Sequence, residues 1–404
     1  MTDSIWRERA QNVLVKPQPP FHPERASQNN GTPWYFKNGR GAHLYDDAGA
    51  EYLDLTMARG AVILGYGHPV TSEALRSHAD CGIQTSLRHH AEIEVAEKIV
   101  ELVPCAEQVI FGKNGSDVCS GAIRLARAAT GRNVVLSSGY HGFQDWFAST
   151  LPNVAGFPAS YSDDLFKFDL NDLDEFKRLV SEHSHDLAAI IIEPAHVNLP
   201  SPGFLESVRE AADSSGAILI FDEVVTGFRV HIGGWQGVSG VTPDLVCLGK
   251  AMTNGYPLSA LAGKRQVMRE LKKTFFSMTY QADSLGFVLA RSCLTYLQTN
   301  DVPSLLNAKG EMLREGFNRA AHQHNLSASA IGIAPRLELT FSPNEGLSKE
   351  EQEEIFLSTL SRRNIIPTLT ISSCEQLTDS DIERACDAFM LGMAEIQSAL
   401  ERRA

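Results

Sequence analysis

The 404-residue chain lacks the features of a membrane, secreted or nucleic-acid-binding protein. It has no run near the ~20 apolar residues of a membrane helix, and its first segment, MTDSIWRERAQNVL, lacks the apolar core of a signal peptide. Its seven cysteines form no close Cys-x-x-Cys pair, which favours buried thiols in a reducing compartment. The net charge of −13 argues against a basic nucleic-acid surface. We therefore predict a cytoplasmic protein with neither nucleic-acid nor membrane partners.

Short apolar runs alternate with amphipathic segments from about Val109 to Val246. The apolar runs are too short for helices, which predicts a mostly parallel sheet covered on both faces. Before this region, a Pro-rich stretch predicts an irregular arm over residues 1–40, DDAGA predicts a hairpin, and one helical stretch follows from about Val70 to Val103. After Gln298 the chain has the pattern of a smaller α+β unit. We place the domains at 1–65 (arm and hairpin, part of the small domain), 66–298 (large domain) and 299–404 (small α+β domain).

Two polar residues stand at the carboxyl ends of predicted strands, where open α/β sheets bind ligands. Asp222 ends the strand in LIFDEVV, and Lys250 follows the strand in DLVCLGK, 250 − 222 = 28 residues later. Taken singly, such an aspartate is most often a helix cap, and such a lysine snorkels to the sheet edge. As a pair they fit pyridoxal 5′-phosphate (PLP), which needs a lysine for a Schiff base and a carboxylate for its protonated ring nitrogen.

Two further segments carry weaker signals. Gly115 and Ser116 enter a helix whose N-terminal N–H groups are suited to a phosphate, although an ordinary serine cap is the commoner use. Tyr140 and His141 offer rings that could stack on a cofactor, against the alternative of a core tyrosine and a surface histidine. His141 has no second His, Cys or carboxylate at ligand spacing in the sequence, so we predict no metal site.

These segments together resemble the class III aminotransferases, on the fold-type I PLP scaffold. The subgroup of glutamate-1-semialdehyde aminomutase is the most similar, through LIFDEVVTGFRV, GGWQGVSGVTPDLVCLGKAM, GAIRLARAATGR and SGYHG. The resemblance extends from about Gly31 to the C-terminal helix. It implies an α/β fold: a large PLP-binding domain with a mostly parallel, mixed seven-stranded sheet covered by helices, plus a smaller α+β domain from the N- and C-terminal segments. It also implies a homodimer with shared active sites.

The resemblance gives each matching residue a role. Lys250 forms the internal aldimine and moves protons, and Asp222 pairs with the pyridinium nitrogen. The other implied cofactor contacts begin with Gly115 and Ser116 on the phosphate, with Val224 on one ring face and with Tyr140, followed by His141, on the other. Asn198 contacts the ring 3-oxygen, Glu193 shapes the wall beside it, and Thr279 reaches the phosphate of the partner subunit. Arg25 and Arg59 are candidates for an anionic substrate group, although ordinary ion pairs are the commoner role of such arginines.

The implied reaction is transamination. An amino donor converts PLP to pyridoxamine 5′-phosphate, and the amine then passes to an aldehyde or keto acceptor through the Lys250 aldimine. The alternative is an intramolecular 2,1-aminomutase of the glutamate-1-semialdehyde type, but AMTNGYPLSA after Lys250 and YQADSL after Thr279 depart from that pattern. A PLP racemase or decarboxylase, a PLP-binding protein with little catalysis, and a nucleotide-binding protein are further alternatives. Intact Lys250, Asp222 and Asn198 argue against a protein with little catalysis, and the missing G-x-G-x-x-G and P-loop patterns argue against nucleotide binding.

Overall fold

The computed structural model describes residues 3–15, 32–152 and 155–403. They divide into two compact units. We name residues 69–304 the sheet unit, and the described residues up to 68 together with 305–403 the terminal unit. Within the described residues, no helix is long and apolar enough to cross a membrane. The domain boundaries predicted at 66 and 298 stay predictions beside this division.

The terminal unit begins with a helix that the sequence did not predict. Residues 1–40 were expected to be irregular, but α1 spans Asp3–Val13 and β1 spans Asn38–Arg40. The Asp3 carboxylate accepts a hydrogen bond from the Trp34 N–H at 2.9 Å, and an acidic residue in a first turn also complements the helix dipole. A tertiary contact with residues about 30 positions away thus supports the helix, which local pattern alone does not reveal.

The predicted hairpin is confirmed by the antiparallel pairing of β2 (His43–Tyr45) with β3 (Glu51–Leu53). It is followed by a one-turn segment, α2 (Met57–Gly60). Met57, Ala58 and Arg59 there have φ angles of 45°, 51° and 58°. This turn is left-handed, a conformation that costs a non-glycine residue roughly 1–2 kcal/mol.

The helical stretch predicted over 70–103 is confirmed at both ends but is interrupted in the middle, because the structure has two helices there. They are α3 (Pro69–His78) and α4 (Ala91–Leu102). Residues 79–90, ADCGIQTSLRHH, hold glycine, β-branched and short polar residues of low helix propensity. The backbone carbonyl of Ile83 instead accepts a hydrogen bond from the Ser284 N–H at 2.9 Å.

Seven strands form the sheet of the sheet unit, in the order β4-β10-β9-β8-β7-β5-β6. The strands β5 to β9 run parallel, and β10 is antiparallel to both β4 and β9. All six residues of β7 are buried, as expected for a strand covered on both faces. The bounds are β4 (Gln108–Gly112), β5 (Val134–Ser138), β6 (Leu165–Lys167), β7 (Leu187–Ile192), β8 (Ile218–Asp222), β9 (Leu245–Leu248) and β10 (Ser259–Gly263).

Helix α5 (Gly115–Thr130) lies between β4 and β5 in the chain and packs on the sheet. Its residues Val118, Ala122 and Leu125 are in one buried cluster with Ile191 and Ile220 of the strands. The remaining helices of this region are α6 (Asp145–Ala148), α7 (Leu173–His183), α8 (Phe204–Ser215), α9 (Gly234–Ser239), α10 (Arg265–Met268) and α11 (Ser284–Thr299). The mixed seven-stranded sheet implied by the family resemblance is thereby confirmed.

The C-terminal elements form a three-stranded antiparallel sheet and long helices. They are α12 (Val302–Gln323), β11 (Ala328–Ile333), β12 (Arg336–Phe341), α13 (Lys349–Arg362), β13 (Thr370–Ser372) and α14 (Asp379–Glu401). Phe317, Phe356 and Phe389 pack ring against ring in the core of the terminal unit. Leu53 forms a parallel bridge with Ile365. The N- and C-terminal segments therefore share one α+β unit, as predicted.

Candidate active site

Adjacent parallel strands carry Asp222 and Lys250. Asp222 is the last residue of β8 and pairs in register with Cys247 of β9. The strand β9 ends at Leu248, and Lys250 begins a short helical turn. Lys250 has a φ angle of 39°, a left-handed backbone that is unfavourable for a side-chain-bearing residue. Such strain concentrates at functional sites, because the surrounding structure has to hold the residue in place.

The Asp222 carboxylate is buried, with 5% of the residue exposed, and accepts three hydrogen bonds. His141 Nδ1 lies 2.8 Å from Oδ2, and Cys119 Sγ lies 3.3 Å from the same oxygen. The Val224 N–H donates to Oδ1 at 3.1 Å. His141 is also buried, and its Nε2 has no hydrogen-bond partner among the residues that the structure describes. The carboxylate is thus fixed from three directions.

Cys119, His141 and Asp222 form a compact group, with ligand atoms within 4.8 Å of one another. Spacing along the chain did not reveal this group, because the three residues come from α5, the loop after β5, and β8. The absence of a metal site stays a prediction. A hydrogen bond with Cys247 and complete burial raise the pKa of Cys119 well above its ordinary value. In the folded chain this thiol suits a hydrogen-bond donor to Asp222.

The turn before α5 allows another segment of the chain to approach its backbone closely. The N-cap of α5 is Asn114, in a capping box with Asp117, rather than the serine that the ordinary interpretation expects. The first N–H groups of a helix have no intrahelical acceptor and favour an anion. A Cβ on Gly115 would lie 3.0 Å from both methyl groups of Val224, so glycine lets the two segments meet. The Ser116 hydroxyl accepts a hydrogen bond from the Phe143 N–H at 3.2 Å.

A second close approach joins this turn to the loop after β5. Gly142 has a φ angle of 101°, and a Cβ there would lie 2.2 Å from the Ser116 Oγ. The loop therefore lies directly against the first turn of α5. This contact brings Tyr140 and His141 to the same end of the sheet as Gly115 and Ser116.

Tyr140 and Glu193 follow the neighbouring strands β5 and β7. The Tyr140 N–H donates to Glu193 Oε2 at 2.9 Å, and the Tyr140 side chain is 56% exposed. Burial raises the pKa of Glu193, helped by the charge of Asp222, while His141 and Lys250 act in the opposite direction. Glu193, Asp222, His141 and Lys250 thus share one electrostatic neighbourhood.

The remaining predicted site residues are differently placed. Asn198 and Thr279 are exposed in loops of the sheet unit. The carbonyl of Thr279 accepts a hydrogen bond from Gln84 Nε2 at 2.9 Å. Arg59 is exposed on the left-handed turn α2 of the terminal unit, and Arg25 lies outside the described residues.

Sequence reasoning missed Cys119, which it assigned to packing. Cys119 and Asp222 are 103 positions apart, and no motif spacing connects them. The usable signal was helical periodicity, because Cys119 lies one turn beyond Gly115 on the buried face of α5. It also missed Lys113 and Tyr256, whose side chains both donate to the Asp283 carboxylate.

Comparison with known proteins decides the family. A model of the family Aminotransferase class-III matches residues 25–332. The chain belongs to the class III aminotransferases. The 3-aminobutyryl-CoA aminotransferase of Cloacimonas acidaminovorans (strain Evry) is 34% identical over 379 residues, which cover 91% of each chain. A glutamate-1-semialdehyde 2,1-aminomutase of Chloroflexus aurantiacus (strain ATCC 29366 / DSM 635 / J-10-fl) is 39% identical over 286 residues, 67% of this chain and 64% of the relative.

A solved structure is similar over the full length of this class III aminotransferase. The PLP internal aldimine form of the FumI protein of Sphingopyxis sp. MTA144 superposes with a TM-score of 0.90 at 25% identity, covering 100% of this chain and 98% of that chain. The predicted family, fold, enzyme class and cofactor are therefore confirmed. The enzyme binds PLP and acts on small-molecule amino donors and carbonyl acceptors.

The residues present in the structure fit PLP. The chain offers first-turn N–H groups at α5, a buried carboxylate at the end of β8 and an amine just beyond β9. The space that a Cβ on Gly115 would fill lies beside Val224, at the same end of the sheet. An anion site, a carboxylate and an amine are the three groups that a phosphorylated pyridine aldehyde requires.

Proposed function

We propose that this class III aminotransferase uses Lys250 as its catalytic amine and Asp222 as the partner of the PLP ring nitrogen. The observation that carries the proposal is the placement of both residues at the carboxyl ends of adjacent parallel strands, with the carboxylate held by three donors. Bound PLP supplies an electron sink for the substrate carbon. Asp222 holds a proton at the ring nitrogen, and Lys250 Nζ takes a proton from the substrate carbon and returns it.

The other roles implied by family resemblance are proposed on the geometry of the sheet unit. The backbone N–H groups of Gly115 and Ser116 bind the phosphate at the N-terminus of α5. Tyr140 and Val224 cover the two faces of the ring, and Glu193 and Asn198 line the wall beside it. His141 acts behind Asp222 through the 2.8 Å hydrogen bond, which supports a role in orienting the carboxylate rather than in stacking.

Transamination is the reaction we propose, with the aminomutase as the alternative. Support comes from the relative that matches over 91% of both chains, an aminotransferase, whereas the aminomutase relative matches over 67% and 64%. The amine of 3-aminobutyryl-CoA is on the β-carbon, not on the α-carbon next to the carbonyl. We therefore propose a donor whose amine is not confined to the α-position of a carboxylic acid.

Stoichiometric half-reactions test this proposal. The PLP-loaded enzyme is mixed with one amino donor and no acceptor, and the cofactor spectrum and the released carbonyl product are measured. We expect conversion of the cofactor to its pyridoxamine form with one carbonyl product per site. Lys250→Ala should abolish this conversion, whereas Lys273→Ala, at a side chain 72% exposed, should not. Isomerisation of a single amino aldehyde at full rate without any donor would establish the aminomutase instead.

We further propose a homodimer, built on an exposed apolar surface of the sheet unit. Segments 79–90 and 274–283 lie together through the Gln84 to Thr279 hydrogen bond. They expose Ile83, Leu87, Phe275 and Tyr280 at 40%, 81%, 77% and 63%. Apolar side chains exposed together commonly mark protein contacts. A second chain on this surface would meet Thr279, which supports its proposed role at the phosphate of the partner subunit.

Arg59 and Arg25 stay proposals for an anionic group of the substrate. The support for Arg59 is its exposure on three consecutive left-handed residues, since strained turns cluster at functional sites. We also propose a cytoplasmic location. All seven cysteines carry free thiols, which suits a reducing compartment.

A further inference from the structure

The Asp222 carboxylate has an unequal distribution of donors between its two oxygens. His141 Nδ1 and Cys119 Sγ both point to Oδ2, at 2.8 Å and 3.3 Å, and the Val224 N–H points to Oδ1 at 3.1 Å. Each carboxylate oxygen has two lone pairs. Oδ2 is therefore fully engaged, and Oδ1 keeps one lone pair for a further donor.

We infer that Cys119 is a positioning residue that holds Asp222 so that Oδ1, and not Oδ2, receives the N–H of the PLP ring. This inference rests on the proposed role of Asp222. Without the thiol, one lone pair of Oδ2 is open, and the carboxylate loses one of the two side-chain contacts that fix its rotation. His141 alone then holds Oδ2.

The thiol is placed by the same helix that is proposed to bind the phosphate. Cys119 is buried, with 1% exposed, one helical turn after Gly115 on α5. Gly115 packs against Val224, whose N–H holds the other oxygen of Asp222. A single rigid helix thus sets both the phosphate end and, through Cys119, the ring-nitrogen end of the cofactor site.

The chemical state of Cys119 suits a donor. Cys247, on the strand next to Asp222, forms a hydrogen bond with Cys119, and this bond and burial raise the pKa of the Cys119 thiol. The thiol therefore keeps its proton at neutral pH. Because Cys247 is also buried, the donor lies in surroundings where a hydrogen bond to a carboxylate is stronger than in water.

Comparing the binding of two cofactors distinguishes a hydrogen-bonding role of Cys119 from simple packing. The dissociation constants of PLP, and of a PLP analogue with carbon in place of the ring nitrogen, are measured on the apoenzyme. Cys119→Val removes the donor at similar size, and Cys119→Ser retains a donor. We expect Cys119→Val to weaken PLP binding about tenfold, the order of one hydrogen bond to a charged group, and to leave analogue binding unchanged. Cys119→Ser should bind both cofactors as the wild type does.

The outcomes are distinguishable from one another. If Cys119→Val weakens the binding of PLP and of the analogue equally, the role is packing and the inference is overturned. The inference is also overturned if this variant binds PLP as tightly as the wild type does. If Cys119→Val does not fold, Cys119→Ala gives the same comparison of the two cofactors. Cys374→Val, at a buried cysteine of the terminal unit, is the control for loss of a buried thiol. Failure of the wild-type chain to bind PLP would instead overturn the proposed function itself.

Discussion

The Nζ atom of Lys113 lies 2.6 Å from Oδ2 of Asp283, and the Tyr256 hydroxyl donates to the same oxygen at 2.8 Å. Lys113 immediately precedes the N-cap of α5, and Tyr256 lies six residues after Lys250. Asp283 caps α11 through the N–H groups of Leu285 and Gly286. One carboxylate therefore connects the turn before α5 with the two segments, AMTNGYPLSA and YQADSL, that depart from the aminomutase pattern.

We expect Lys113→Met to lower the free energy of unfolding by about 2 kcal/mol. Removing one partner of a partly buried ion pair leaves the other charge uncompensated, but Tyr256 and two backbone N–H groups still hold Asp283. Denaturant unfolding of the apoenzyme measures the change. The double variant Lys113→Met/Asp283→Asn should regain part of the loss. Simple additivity of the two single variants would contradict a direct interaction between these side chains.

The same cluster predicts a pH dependence of stability. Burial alone would raise the pKa of Asp283, but the hydrogen bonds from Lys113 and Tyr256 outweigh it and leave the pKa below its ordinary value. The stabilisation from a lowered carboxyl pKa is complete above the unfolded value of about 4 and is lost as the pH falls through the lower folded value. The difference in unfolding free energy between the wild type and Asp283→Asn should therefore shrink on acidification below about pH 4. A constant difference down to full protonation would disprove the linkage.

Gly142→Ala should disturb the first turn of α5. The new Cβ would meet the Ser116 Oγ at 2.2 Å. Gly156→Ala is the matched control, because Gly156 has a similar φ angle of 96° but no atom within 4 Å of its Cβ position. Both variants incur the backbone strain, so the clash alone should lower stability by a further ~1–3 kcal/mol in Gly142→Ala. PLP binding should weaken in Gly142→Ala only, and equal effects in both variants would rule out the contact with Ser116 as the cause.

The proposed dimer predicts that a charge on the exposed surface of segments 79–90 and 274–283 separates the subunits. Phe275→Asp places a carboxylate at a side chain 77% exposed in the described chain. Light scattering should show a dimer for the wild type and a monomer for this variant, because an unpaired charge is costly in an apolar contact. Val238→Asp, at an exposed side chain on α9, should remain dimeric. A dimeric Phe275→Asp would place the interface elsewhere.

The sheet and its ligand-binding edge could be predicted because the signals are local. The apolar runs ending at Asp222 and just before Lys250 are continuous, and both faces of these strands are covered in the structure. The helix Asp3–Val13 and the break within 70–103 could not be predicted, since a side-chain contact to Trp34 and a backbone contact to Ser284 decide them. Such contacts join residues far apart in the chain.

The same contrast between local signals and long-range contacts applies to the candidate site. Asp222 and Lys250 could be chosen from strand ends and spacing. Cys119 could not, because its importance comes from an oxygen of Asp222 that only the folded chain brings within 3.3 Å. The cluster of Lys113 and Asp283, separated by 170 positions, escaped for the same reason.

The antiparallel strand β10 has a consequence for how the protein is made. Among the described strands, β4 at the sheet edge pairs with β10 alone, and 259 − 112 = 147 residues separate the end of one from the start of the other. At synthesis rates of roughly 5–20 residues per second, β10 is synthesised about 7–30 s after β4. We therefore expect the N-terminus of α5, which directly follows β4, to reach its final place after Gly263 has left the ribosome. On this order of events, PLP is expected to bind late in synthesis, so a shortage of the cofactor would act on a chain that is already mostly built.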